Sequence, residues 1–551
     1  MTVDITAPAP AETRARPARP RLTGRRLAVL WRVPVAVTGG VVMDLGFPGL
    51  GWWPLTLAGV ALVLAAVDGV RFRAGAGLGL LAGLAFYLVH VSWSGLYLGP
   101  VPWFALSASQ AASFAVGCGL IAVASRLTAS VLPGRRGAFL LYPLLAAGLW
   151  VTREEVAARW PYNGFSWGRV GFSHSEGPLA PLLSWVGTSG LSFVLVAIAA
   201  AAFQIVRATV RARRVRVAAG HDADRAPADA PGRRRALPVP ALAGWSLAVL
   251  ALALVPIAHV PATGEITVAA VQGNGPAGYF TKKTRGDLLA AQELATAPLL
   301  GQDVDVVVWP EDGADLDPLR YPEGQTRIRQ LTEAMDAPLV FGTITKRDGQ
   351  YYNTSLAWEP GASAPSDHYD KKRPVPFGEY VPDRAFYAAI VPDLIGMVAR
   401  DYVPGTREGV LEVSGMRLGS AICFDITADD VIADLPVRGA QVILAQSNNG
   451  DFGTTDESVQ QLAIARVRAI ETGRDVVNVS TVGTSAIIAA DGSTIDRLPT
   501  FRAGAMVQTV TLRDGLTPAT RLRVVLPVAL AAASLLTLAA LAALRMRRAS
   551  R

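Results

Sequence analysis

The sequence predicts two unlike folds in one chain: a polytopic α-helical membrane domain of about eight spans and an extracytoplasmic α/β domain. Three observations carry this. The 551 residues are 51% hydrophobic and only 17% charged, with a mean hydropathy of +0.33, too apolar for a purely soluble or a disordered protein. Apolar stretches long enough to cross a bilayer recur through the first half and once at the end. Between them lies one long polar segment in which strand-like runs alternate with helical patterns.

The first 26 residues are rich in Ala, Pro and Arg and lack the apolar core of a signal peptide, so a disordered cytoplasmic tail is expected. Candidate spans follow near 27–43, 52–67, 74–93, 103–125, 138–152, 181–206 and 238–258, with a last one at 522–544. The first, second and fifth fall short of the roughly 20 apolar residues that a span needs. Arg placement sets the orientation. Arginines crowd the segments that would face inward: residues 1–26, Arg71 and Arg73, Arg126, Arg135 and Arg136, the loop 207–235 with nine, and the C-terminus. The opposite loops 44–51 and 94–102 have neither Lys nor Arg. Positive charge stays in the cytoplasm, so the polar segment lies outside it and the protein is expected in the cytoplasmic membrane. The domains then read as tail 1–26, membrane domain 27–260, α/β domain 261–515, and final span with basic tail 516–551.

Within the polar segment, strand-like runs lie at 266–271, 304–309, 339–344, 352–358, 418–424, 441–445, 476–480 and 485–489. Helical patterns lie at 284–299 and at 457–472, where Val459, Leu462, Ala463, Val467 and Ile470 recur at helical spacing. Nearly continuous Val and Ile content argues for sheets covered by helices. The chain has five histidines and two cysteines, which leaves no disulfide framework and little for a His-based triad or metal site. Cys118, in an apolar run, reads as a small buried hydrophobe.

Three residues carry candidate chemistry. Cys423 lies at the end of the buried-strand pattern 417–425, and a residue leaving a strand at a sharp turn can show its side chain to a cleft. A thiol is a strong nucleophile when a nearby cation favours its thiolate. Lys371 is one of only five lysines, all in this segment, and such a cation also stabilises a tetrahedral oxyanion. Glu311, after Trp309-Pro310 at the end of an apolar strand, sits where α/β sites form and can act as general base. Taken singly, each also reads as an ordinary residue: a core cysteine, a solvated lysine, a loop carboxylate.

In this order, Trp-Pro-Glu, Tyr-Asp-Lys with Pro-Phe-Gly-Glu, and Ile-Cys-Phe-Asp resemble the Glu–Lys–Cys set of the carbon–nitrogen hydrolase (nitrilase) superfamily. Seven preceding spans, one following span, and the stretches Asn163–Phe172 and Val186–Leu191 are similar to the apolipoprotein N-acyltransferase family. The resemblance implies a nitrilase-like αββα sandwich. Carried over, it implies Glu311 as base, Lys371 as cation and Cys423 as nucleophile, with Glu379, Phe424, Asp425 and Asn448 in support. It also implies that Arg466, Arg468 and Glu471 form a helix signature, which reads as structural ion pairing. This sequence departs from the family pattern at Phe424-Asp425 (usually Tyr-Glu), Asp451 (usually Trp), Gln461 (often His) and Arg373-Pro374 (usually His-Leu).

The implied reaction passes an acyl chain from a phospholipid through a Cys423 thioester to the amine of a diacylglyceryl-cysteine apolipoprotein, with no metal or cofactor. Outer-loop aromatics Trp160, Tyr162, Phe165 and Trp167 are candidate walls of an apolar entrance. Two rivals stay open: a membrane-tethered amidase, which would need one span rather than eight, and a non-catalytic scaffold. A separate cytoplasmic glycosyltransferase docking on loop 207–235 is a further open partner. The net charge of +8 and pI near 9.6 do not point to nucleic acid. Residues 265–512 hold 21 Lys+Arg against 33 Asp+Glu, so the basic excess lies in the membrane-flanking segments.

Overall fold

Apolar helices come first in the computed structural model, which describes residues 31–220 and 239–551. The tail 1–26 and most of the Arg-rich loop, the surface expected for a glycosyltransferase, lie outside the described residues. Helices α1 (Arg32–Asp44), α2 (Trp53–Val67), α3 (Phe72–His90), the short α4 (Ser94–Leu98), α5 (Pro100–Val131), α6 (Tyr142–Ala157), α7 (Leu183–Gly220) and α8 (Val239–Ala253) precede the polar segment. Each predicted stretch of the first half coincides with a helix. Among the described residues, four helices are long and apolar enough to cross a membrane: Phe72–His90, Pro100–Val131, Ala180–Arg214 and Val525–Ala549. Outward apolar faces such as Leu536 (70% exposed) fit a lipid surrounding, and this is a membrane protein.

Small residues let these helices approach closely. A Cβ on Gly40 would lie 2.2 Å from the Ala82 carbonyl oxygen, so α1 and α3 meet backbone to backbone only because that position is glycine. Helix α7 breaks at Gly187 (φ 63°), where a carboxylate from the polar domain reaches the Thr188 N–H.

The polar segment folds into two six-stranded sheets packed face to face. The first has the order β12-β1-β2-β3-β4-β5: Gly504–Arg513, Ala262–Gln272, Val306–Val308, Leu339–Arg347, Gln350–Trp358 and Asp367–Asp370. The second runs β11-β10-β9-β8-β7-β6: Thr494–Arg497, Ala486–Ile488, Val476–Ser480, Val442–Ser447, Met416–Ile422 and Val410–Val413. Parallel pairs β1–β2–β3 and β7–β8–β9 lie at the centres, and antiparallel strands flank them. Alternate residues do the packing. Val268, Ala270, Val306 and Val340 face Leu418, Ile422, Val442 and Val477 across the inter-sheet core. On the other face of the first sheet, Ala269 and Val271 meet Leu289 of α9 (Asp287–Thr296) and Ile328 of α10 (Pro322–Met335).

Two short helices, α11 (Arg384–Ile390) and α12 (Pro392–Met397), cover one rim, while α13 (Asp429–Val437) and α14 (Glu457–Thr472) cover the second sheet. Ile464, Val467 and Ile470 of α14 belong to the same apolar cluster as Phe86, Trp150 and Leu191 of the membrane helices. The αββα sandwich is thus fused through one helical layer to the membrane domain. Helices α15 (Pro518–Leu522) and α16 (Val525–Ala549) end the chain.

The structure adds strands β5, β6, β11 and β12 that the apolar runs do not reveal. The first three have four residues each, with Asp, Glu or Arg among them, and take their conformation from a neighbour. Strand β12 alternates polar and apolar residues and pairs with β1 over its whole length. The run at 418–424 also needs correcting: β7 stops at Ile422, and Cys423 is already outside it.

Candidate active site

All three predicted chemical residues stand at strand ends on the same edge of the sandwich, and the structure brings them together. Glu311 follows β2, Lys371 follows β5 and Cys423 follows β7, the C-terminal ends where parallel sheets open a crevice. Two features let Glu311 sit so deep. Gly342 of β3 lies against it, and a Cβ there would meet the Glu311 Cα at 2.6 Å. Gln446 of β8 donates to the Trp309 carbonyl at 2.6 Å and accepts from Ser355 at 2.7 Å, pinning the two sheets where β2 ends.

Lys371 is 1% exposed and its Nζ lies between two carboxylates, 3.0 Å from Glu311 Oε1 and 2.9 Å from Glu379 Oε2. Both carboxylates accept from Asn353 Nδ2, at 2.7 and 2.8 Å. Glu311 Oε2 takes the Asn448 backbone N–H at 2.8 Å, and Glu379 Oε2 takes the Val375 N–H at 2.7 Å. Burial alone would lower the lysine pKa, but the charges of Glu311 and Glu379 hold it well above the usual range, so the site keeps a fixed ammonium. A buried pair of this kind survives because its remaining lone pairs are satisfied by N–H donors.

Cys423 opens a short 3₁₀ turn, Cys423–Thr427, with φ at +49°. A non-glycine residue in the left-handed region is a strained elbow of the kind that presents a nucleophile. Asp425 holds that elbow. Its carboxylate accepts from the Ile422 N–H (3.2 Å), the Arg373 N–H (2.8 Å) and the Tyr369 hydroxyl (2.9 Å), which ties the cysteine turn to the lysine segment. Burial raises the Asp425 pKa to about 6 in spite of these donors. Asp therefore fills the place usual for Glu by meeting backbone donors directly.

The half-buried Cys423 thiol is pushed well above its ordinary pKa by burial, and the charge of Glu311 adds to this while Lys371 opposes it. The expectation that a neighbouring cation would yield a thiolate is corrected here: Lys371 is already neutralised by two carboxylates. The arrangement favours removal of the thiol proton by a carboxylate during attack over a preformed thiolate.

The other singled-out residues divide by contact. Phe424 is 8% exposed and stacks on Phe165 at 5.9 Å, and Phe165 stacks on Trp167 at 6.2 Å. Of the proposed wall, Phe165 reaches the cysteine turn and Trp167 stacks behind it, whereas Tyr162 bonds Asp383 and Tyr387 and Trp160 is 71% exposed. The Asn448 side chain is engaged by Ala277, Gly450 and Thr481, so it is the backbone of Asn448 that meets Glu311. Arg468 pairs with Glu471 and Asp429 and caps the Ile426 and Thr427 carbonyls, whereas Arg466 turns away to Glu176, Gly492 and Thr494.

Sequence reasoning missed Asn353, which bridges both carboxylates; an Asn inside a strand buried on both sides was the available signal. It also missed a network behind the thiol. Gln461 Nε2 points at the Cys423 Sγ from 3.6 Å, Asn449 donates to Gln461 and to Glu457, and burial raises Glu457 to about 8. A further aromatic group at the rim, Trp93, Tyr97, Phe452 and Phe280, comes from both domains.

Residues 39–201 match the family model of the apolipoprotein N-acyltransferase N-terminal domain, and residues 267–519 match that of carbon-nitrogen hydrolases. The chain is 31% identical to the apolipoprotein N-acyltransferase of Mycolicibacterium smegmatis over 516 residues, covering 88% of this chain and 81% of that one. It is 29% identical to that of Azotobacter vinelandii, over 89% of this chain and 91% of the relative. Among solved structures, an amidase from Nesterenkonia aligns over 48% of this chain and 94% of its own, with 17% identity and a TM-score of 0.36. The two matched segments fall on the helical domain and on the sandwich that carries Glu311, Lys371 and Cys423, and the identity runs through both: the chain belongs to the apolipoprotein N-acyltransferase family, whose members are acyltransferases.

Proposed function

We propose that the chain transfers an acyl group from a membrane phospholipid, through Cys423, to the N-terminal amine of a diacylglyceryl-cysteine lipoprotein. The observation that carries the site assignment is the buried Glu311–Lys371–Glu379 cluster facing a strained cysteine elbow. Glu311 accepts the thiol proton as Sγ adds to the ester carbonyl. The oxyanion forms beside the Lys371 ammonium and the backbone N–H groups of the turn. Collapse expels the lysophospholipid alkoxide, which takes the proton back from Glu311 and leaves a thioester. The lipoprotein amine then adds to the thioester, loses a proton to Glu311, and the Cys423 thiolate departs and is reprotonated. Asp425 holds the elbow, Glu379 holds Lys371, Phe424 with Phe165 and Trp167 forms an apolar wall, and Asn448 holds Glu311 through its N–H.

The finer architecture belongs to the same reading. About eight helices cross the membrane, including the shorter α1, α2, α6 and α8, and the boundaries are 1–26, 27–260, 261–515 and 516–551. The Arg distribution supports a catalytic domain on the extracytoplasmic side of the cytoplasmic membrane. Both substrates are anchored by acyl chains, so an aromatic-lined rim between membrane helices and sandwich suits them. A glycosyltransferase partner is no part of this reading.

The test uses phospholipid labelled in its acyl chain and mass spectrometry of the protein and of a reporter lipoprotein. Wild type is expected to carry the label on Cys423 and to pass it to the reporter amine. Cys423→Ser, Lys371→Ala and Glu311→Ala are expected to give no triacylated product above background. Equal product from all four would refute the site, and label released only as free acid would favour a hydrolase.

A further inference from the structure

We propose that a cavity at the far end of the membrane helices from the triad binds the headgroup of an anionic glycerophospholipid. The cavity, about 570 Å³, opens where the end of α5, the start of α6 and the middle of α7 meet. Arg135, Arg207 and Arg211 line it together with Thr128, Tyr142 and Gln204. Two of these are decisive. The hydroxyls of Thr128 and Tyr142 are buried, both residues 2% exposed, and neither has a hydrogen-bond partner. Buried polar groups are nearly always satisfied, so two orphan hydroxyls on residues that line one cavity point to a ligand with polar oxygens.

The charge gives its sign. Among the described residues, Asp68 is the carboxylate that pairs with this lining; it takes Arg207 at 2.8 Å and also feels Arg211. Among the described residues Arg135 has no carboxylate partner, so the mouth of the cradle carries positive charge, which suits a phosphodiester. Position and shape favour a lipid over a free phosphate. From Thr188, which contacts the catalytic domain, to Arg207 is about 28 Å along α7, close to a hydrocarbon thickness, so the cavity lies at the opposite membrane face. A second, apolar hollow of about 250 Å³ shares Arg135 and Phe139 with it and reaches Pro240 and Ala241. Leu132 and Leu140 are exposed beside the mouth. Polar cradle and apolar slot together fit an amphiphile whose acyl chains stay in the leaflet. The inference rests on the membrane-spanning reading and not on acyl transfer.

The test is native mass spectrometry of the full chain released from nanodiscs of phosphatidylcholine with phosphatidylglycerol added. Wild type is expected to retain one phosphatidylglycerol in preference to phosphatidylcholine. The double variant Arg135→Ala/Arg211→Ala is expected to retain about 25-fold less, about fivefold for each arginine. Thr128→Val/Tyr142→Phe keeps charge and volume, removes the two hydroxyls, and is expected to retain several-fold less. A monodisperse elution profile and a wild-type-like thermal unfolding transition in both variants show that they are folded; where the arginine variant does not fold, the hydroxyl variant decides. Equal retention of the two lipids, unchanged retention in the folded variants, or displacement of phosphatidylglycerol by equimolar glycerophosphate would each overturn the proposal.

Discussion

Single residues in the site are arranged so that each charge has a counter-charge and each carboxylate its donors. Lys371 cannot be replaced by a neutral residue without leaving Glu311 and Glu379 buried side by side, which makes Lys371→Ala costly for folding as well as for chemistry. Glu457 behaves differently: it has Asn449 as a hydrogen-bond donor but, among the described residues, no cation within salt-bridge distance. Its carboxyl has a folded pKa of about 8 against an ordinary 4.5, so the folded state holds this proton more tightly. That stabilisation is complete below about pH 4.5 and is lost as pH rises toward 8. Glu457→Gln keeps the acceptor for Asn449 and removes the titration. Thermal unfolding between pH 5 and 8 is therefore expected to show a shallower decline for the variant than for wild type, and parallel declines would show that Glu457 is not the source.

At the scale of elements, the cysteine turn is held from two sides. Asp425 ties it to the lysine segment, and Arg468 of α14 caps Ile426 and Thr427, pairs with Asp429 and Glu471, and donates to the Thr188 hydroxyl of the membrane domain at 3.4 Å. Arg169, from the loop before α7, reaches the same Asp429 and also Glu155. Burial would raise the Asp429 pKa, but the two guanidinium groups hold it below the usual carboxylate range. Arg468→Ala leaves Asp429 and Glu471 short of a partner in a buried setting and is expected to cost about 3–5 kcal/mol. Thermal unfolding measures that cost, and acylation of Cys423 by labelled phospholipid is expected to fall with it. A variant with normal stability would show that the helix signature does not join the two domains.

For the whole molecule, the charge asymmetry makes a prediction about sidedness. Residues 265–512 carry a net −12, and the rest of the chain carries +20. In a background with Cys118→Ala and Cys423→Ser, a membrane-impermeant maleimide on intact cells is expected to label Gln302→Cys and to spare Arg213→Cys until the membrane is opened. The reverse pattern would invert the topology.

By itself, the sequence determined the two-part architecture, because lipid and water select opposite compositions and the chain shows both. It also marked Glu311, Lys371 and Cys423 as candidates, through three ordered motifs, and predicted the helix 457–472, through its apolar spacing. Asn353, Glu457, Gln461 and the edge strands needed the tertiary structure. Their roles depend on partners in other elements, such as Glu379, 26 residues from Asn353, and Ala262 of β1, far along the chain from the Arg513 of β12 that it pairs with. The state of Cys423 was likewise a tertiary matter. A lysine beside a cysteine suggests a thiolate, and only the packing shows that two buried carboxylates pair with that lysine, while burial and the Glu311 charge push the Cys423 thiol above its ordinary range.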